Sequence, residues 1–140
     1  MSPSFELEVI TPDRTVFAGS VTSLVAPGSE GSLGVLANHA PLITGLGIGR
    51  ARATTADGEE TYFAVAGGFL QVADNRATLL ADAAERADQI DLARAEAARR
   101  RAEEERSTLT RGEPRFVAAE AALRRALNRL QIARDHGGGQ

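Results

Sequence analysis

Two building plans follow one another along this chain of 140 residues, and together they predict an α+β fold. The first is an N-terminal antiparallel β-sandwich over residues 1–86, the second a C-terminal antiparallel two-helix hairpin over residues 87–140. Three observations carry the prediction. Ten of the fourteen glycines fall before residue 87, mostly at breaks between short apolar runs. Those runs alternate apolar and polar residues, the period of a strand with one buried face. Beyond them the chain turns rich in Ala, Arg and Glu, which are strong helix formers.

The strands can be taken in order. In "FELEV", Phe5, Leu7 and Val9 alternate with Glu6 and Glu8. "VTSLVAP" and "PLITGL" read as short strands. "GRARATTADGEETYFAVAGG" reads as two strands around Asp57-Gly58, a pair that tolerates positive φ, and "GGFLQVADNRATLLAD" repeats the plan around Asp74-Asn75. Short strands with regular turns point to a sandwich or flattened barrel.

The helices follow. Residues 90–109 predict the first, with Asp91 as N-cap or first-turn acid and a thin apolar stripe of Leu92, Ala95, Ala98, Ala102 and Leu109. Glu96 and Arg100 form an i,i+4 pair of favourable polarity. Gly112 is placed to end this helix and Pro114 to open the next. In the second, Phe116, Ala119, Leu123, Ala126, Leu130 and Ala133 make a seam facing a partner. The tail "HGGGQ" terminates it and is expected to fray. A seam made mostly of alanine buries little per residue, so docked and detached states of the hairpin are expected to lie close in energy.

Composition narrows the function. Cysteine is absent, removing disulfides and thiolate zinc sites, and two histidines argue against a histidine metal site. No apolar stretch approaches the ~20 residues of a spanning helix. The N-terminus shows neither a signal peptide nor an Arg/Ser-rich transit segment. All sixteen basic residues are arginine, a side chain suited to bidentate contacts with carboxylates and phosphates. Through Arg86 five arginines face ten acids; from Ala87 onward eleven face nine.

The stretch "SEGSLGVLANHAPL", residues 29–42, holds His39, one of the two histidines. A phosphate loop would need a Gly-rich turn with lysine leading into a helix, and here "NHAPL" leads into a strand. A catalytic His39 would need a partner acid or nucleophile, and no such constellation stands in the chain. What remains from the residues alone is a polar corner residue bonded to nearby backbone.

The order and spacing of "GSEGSLGVLANHAPLITGL", "AVAGGFLQVADNRATLLADAAERADQIDLARA" and "ALRRALNRL" resemble the epsilon subunits of bacterial F-type ATP synthases over essentially the full length. The resemblance implies a β-sandwich plus helical hairpin and a non-catalytic place in the central rotor. The sandwich would bind the gamma subunit and the membrane c-ring. The hairpin could extend toward the beta and alpha subunits and block ATP hydrolysis. The location implied is the cytoplasmic face of the bacterial plasma membrane, peripheral and held there only through the complex. By the same resemblance Glu30, Ser32 and His39 become candidate interface residues, "SEGSLGV" toward the c-ring and "NHAPL" toward gamma. The family pattern has an acid where Ser32 stands, so a charge contact there is not carried over. Arg99, Arg100 and Arg101 would meet acidic loops of the beta subunits; their plain alternative is a solvated, charge-laced face.

In some members of that family the folded hairpin binds ATP, and "IDLARA" matches their motif. The resemblance places Glu85, Asp91 and Arg94 on the first segment and Arg125 and Arg129 on the second helix. ATP, with or without Mg, is the regulatory ligand so implied, and no cofactor is required. Arg125 and Arg129 are i,i+4 and share a helical face, so guanidiniums converging on a triphosphate are geometrically reasonable. The alternative is that these arginines form surface salt pairs worth little each.

Rival classes are a stand-alone nucleotide sensor, a nucleic-acid-binding coiled coil and a small β-sandwich enzyme. Copurification with gamma would separate the first from a rotor subunit. The acids interleaved with the C-terminal arginines and the scarcity of aromatics disfavour nucleic acid. The missing acid–base–nucleophile set disfavours the enzyme.

Overall fold

The computed structural model describes residues 2–137 and divides the chain into two compact units, Met1–Arg86 and Ala87–Gln140. The last three residues of the "HGGGQ" tail lie outside the described residues.

The first unit is one eight-stranded sheet folded into a sandwich. Its strands are β1 (Phe5–Ile10), β2 (Thr15–Val21), β3 (Ser23–Gly28), β4 (Gly31–Leu36), β5 (Leu42–Gly45), β6 (Ile48–Thr54), β7 (Glu60–Ala73) and β8 (Arg76–Arg86). They pair in the order β2-β1-β8-β7-β6-β3-β4, and β5 pairs with β7. Phe5, Leu7 and Val9 point into a core shared with Leu24, Phe63, Leu70 and Leu79, as the alternation in β1 predicts. Phe17 meets Phe63 edge-on, with centroids 5.7 Å apart.

Strands β2 and β4 fall outside the sequence expectation. In β2 only Val21 is buried, so its apolar signal is faint, and the strand is held by its ladder with β1. Strand β4 pairs with β3 from Ser23↔Leu36 to Gly28↔Gly31, which makes most of "SEGSLGV" a strand. Its glycines and its single buried residue, Val35, hide the period. The sandwich is also not wholly antiparallel. β1 and β8 run parallel, Glu6↔Arg76 through Ile10↔Leu80, because the chain traverses the other six strands before returning beside its start.

Strand β7 positions the rest. At Gly67 and Gly68, with φ +73° and +112°, its neighbour changes from β6 to β5 while β8 follows on the other side. Its core residues shift there from Phe63 and Val65 to Leu70 and Val72, so the strand passes from one layer of the sandwich to the other.

Both predicted hairpins form. Asp74 and Asn75 have φ 51° and 59°, the two-residue left-handed turn that matches strand twist. The loop at Asp57-Gly58 is longer than that pair. Gly58 alone has positive φ, its N–H donates to Thr55 O at 3.0 Å, and Thr55 N–H donates to Glu59 O at 2.9 Å. Asn75 does further work: its Oδ1 accepts from Asn38 N–H at 2.8 Å, and its Nδ2 donates to Ser4 O at 3.0 Å.

The second unit opens with a 3-10 turn, Ala87–Gln89, that lies against the second helix. Helices α1 (Leu92–Ser107) and α2 (Pro114–His136) follow and pack on one another. The seam is the predicted one in α2, where Ala119, Leu123, Ala126, Leu130 and Ala133 are buried; Phe116 is half-buried. In α1 only Ala95 and Ala102 are buried, and Leu92 is exposed. Ile132 is buried although it stands outside the seam. Pro114 opens α2, but Gly112 does not end α1. That helix stops at Ser107, where the Thr108 N–H closes the last turn, and Gly112 (φ +95°) bends the connection further on.

Candidate functional site

A cleft of about 320 Å³ opens between α1 and α2. Its floor is alanine methyls, Ala102 and Ala119 among them, and its charged groups are Arg101 and Glu105 of α1 and Arg125 and Arg129 of α2. The sequence builds it simply. Alanine on both facing surfaces leaves a trough between the helices, and each i,i+4 pair sets two long side chains over one face. Arg101 and Arg125 make no ion pair with the described residues, so the surface salt pairing expected of such arginines is not what holds them. A trough with unpaired guanidiniums from both helices suits a polyanion, whose oxygens accept charge-assisted bonds.

The nucleotide-motif residues are only partly brought together. Arg125 and Arg129 line the cleft, joined by Arg101 and not by Arg94. Arg94 is exposed in the first turn of α1, and two helical turns, about 10 Å, separate it from Arg101. Asp91 caps α1: its Oδ1 accepts from Arg94 N–H at 3.0 Å, satisfying one of the helix's orphan donors. Glu85 is half-buried on β8, in the sandwich unit. Asp91→Ala is expected to cost about 1 kcal/mol in α1 stability. Hydrogen exchange at the first α1 amides checks it, and Asp91→Asn, which keeps the cap without the charge, should restore protection.

The run of three arginines is divided among three tasks. Arg99 is clamped by two acids, donating from Nε and Nη2 to Glu96 Oε1 and from Nη1 to Glu103 Oε1 at 2.6 Å. The bond from Arg99 holds the Glu96 carboxyl below the usual range, and that same bond raises the Arg99 guanidinium. Glu96 therefore pairs with Arg99 at i,i+3 and not with Arg100 at i,i+4, because Arg99 can be bridged from both sides at once. Arg101 turns to the cleft, and Arg100 is left exposed.

On the sandwich, Glu30 is exposed in the β3–β4 turn and Ser32 is exposed within β4. His39 lies beyond the other end of that strand, so the six residues of β4 stand between the two loop positions. Its Nδ1–H donates to Ala40 O at 2.7 Å and its N–H to Leu36 O at 3.2 Å, after Asn38 with φ +62°. These are the bonds of a polar corner residue. Among the described residues no group of three or more His, Cys, Asp or Glu could hold a metal ion, and no helix is long and apolar enough to cross a membrane.

Sequence reasoning missed Arg101 and Glu105 as cleft residues. The signal was available in part, since Arg101 follows Arg94 by two turns and shares its face.

A cored β-sandwich continued by a two-helix hairpin defines a two-part chain whose charged cleft belongs to the helical part alone. Residues 4–87 match the family model for the ATP synthase, Delta/Epsilon chain, beta-sandwich domain, and residues 88–134 match that for the long alpha-helix domain. The chain belongs to the ATP synthase delta/epsilon family, as its motifs suggested. A curated ATP synthase epsilon chain of Desulforamulus reducens is 44% identical over 133 residues, covering 95% of this chain and 99% of its own. That of Pelotomaculum thermopropionicum is 61% identical over 98 residues, 70% of this chain and 72% of its own. A chain in the cryo-EM structure of the Euglena gracilis mitochondrial ATP synthase, OSCP/F1/c-ring, superposes with TM-score 0.76 at 22% identity, covering 97% of this chain and 84% of that one. That likeness speaks to the fold.

Proposed function

We propose that this chain is the non-catalytic epsilon subunit of a proton-translocating F-type ATP synthase, on the cytoplasmic face of a bacterial plasma membrane. The sandwich joins gamma to the c-ring, with Glu30, Ser32 and His39 as contact candidates. The hairpin is a movable brake on ATP hydrolysis. Extended, it presents Arg100 and Arg101 to acidic loops of the beta subunits, since Arg99 is already clamped within α1 and the cleft that takes Arg101 exists only in the folded form. Folded, it binds ATP through Arg101, Arg125 and Arg129, with Asp91 and Arg94 at the near end of α1.

One observation carries the regulatory part. The cleft draws its arginines from both helices, so it exists only while α1 and α2 lie side by side. A ligand that binds only the closed form stabilises it by RT ln(1 + [L]/Kd), about 2.7 kcal/mol at a hundredfold excess over Kd. That is enough to bias two states close in energy. The family match supports the rotor part, and the c-ring within the Euglena assembly supports the partner.

The test is reconstitution with the catalytic head and gamma. The full chain should copurify with gamma and suppress ATP hydrolysis, and a chain ending at Arg86 should bind but suppress several-fold less. Arg125→Ala with Arg129→Ala should weaken ATP binding at least tenfold, about 1.4 kcal/mol. Equal hydrolysis with both chains would remove the brake.

A further inference from the structure

Glu105 has no evident reason to stand where it does. It lies in the last turn of α1, where the partial negative charge of the helix end disfavours a carboxylate. It follows Arg101 by four residues, the less favourable order for an i,i+4 pair. It shares the cleft with Arg101, Arg125 and Arg129, yet its carboxylate forms no ion pair or hydrogen bond with the described residues. It is therefore a negative charge held beside three positive ones without being consumed by them.

We infer that Glu105 sets the affinity and the charge preference of the cleft, repelling a free polyphosphate more than its magnesium complex. The inference rests on the reading of the cleft as a polyanion site and adds what regulates it. A polyphosphate seated against Arg101, Arg125 and Arg129 brings its oxygens toward the Glu105 carboxylate, and like charges in that position oppose binding. A magnesium ion on the phosphates offsets part of their charge and sits well beside a carboxylate, since Mg²⁺ is commonly held by one or two carboxylates plus phosphate oxygens. Glu105 thus discriminates between two charge states of one ligand. The neighbouring Glu104, exposed and outside the cleft, carries the same charge without the position.

Titration calorimetry of the full chain with inorganic tripolyphosphate, in EDTA and then in magnesium, tests this. Glu105→Gln should tighten binding about fivefold in EDTA at low salt and about twofold or less in magnesium, as for one exposed like charge nearby. Glu104→Gln should stay within about twofold of the parent in both, the change expected of a remote exposed charge. Unchanged or weaker binding by Glu105→Gln overturns the inference while leaving the cleft reading intact, provided the parent binds. Equal gains from Glu104→Gln and Glu105→Gln overturn it too, because the effect would then belong to net charge. If neither parent nor Glu105→Gln takes tripolyphosphate at millimolar concentration, the cleft reading and the inference fall together.

Discussion

Gly68→Ala is expected to destabilise the sandwich by at least about 3 kcal/mol, read as a shift in the urea midpoint. Two costs combine. Gly68 has φ +112°, a conformation L side chains rarely adopt, and a Cβ there would collide with the Leu80 carbonyl oxygen and come within 2.8 Å of Ala81 Cα. Both are backbone atoms of β8, which is hydrogen-bonded on its other side to β1 and cannot simply step away. Gly31→Ala isolates the first cost. Gly31 has φ +129° but no atom within 4 Å of an added Cβ, so it should lose only about 1–2 kcal/mol. Similar losses at the two sites would show that strand packing is not what demands glycine at the layer crossing.

Leu123→Ala is expected to loosen the hairpin by about 3 kcal/mol while leaving the sandwich as it was. Leu123, Leu130 and Ile132 are the only large aliphatic side chains buried among the described residues of the second unit; the other buried positions there are alanines apart from one glycine. Removing one takes away much of what closes the helices. Amide exchange in α1 and α2 should quicken about a hundredfold, the factor that 3 kcal/mol implies. Amides of β1, β7 and β8 should keep their protection, because the sandwich core is built entirely from residues before Arg86. Loss of protection in both units together would make the chain one cooperative block and would deprive the proposed brake of its independent motion.

What the sequence makes legible is what short-range chemistry decides. The period of β1, the left-handed pair at Asp74-Asn75, the Asp91 cap and the α2 seam are each set by neighbours a few residues apart. What it conceals is set at long range or by glycine. β2 and β4 carry little apolar pattern of their own and are strands because β1 and β3 template them. The parallel β1–β8 ladder has no local signature at all. At the cleft, helical spacing shows that Arg125 and Arg129 share a face, but which arginine of α1 meets them depends on how far the helices slide along one another. That offset selects Arg101 over Arg94. The choice of Glu96 between Arg99 and Arg100 turns on side-chain reach, which spacing alone leaves open.

The central place of β8 bears on how the protein is made. Between β1 and β7 there is a slot that only β8 fills, and β8 is the last of the eight strands to leave the ribosome. The earliest strand therefore waits with one edge unsatisfied until the chain has grown through Leu80, and pairings of such separation are slow to form. A nascent chain stalled before that point would expose an adhesive edge, so this subunit is a natural client for chaperones during synthesis.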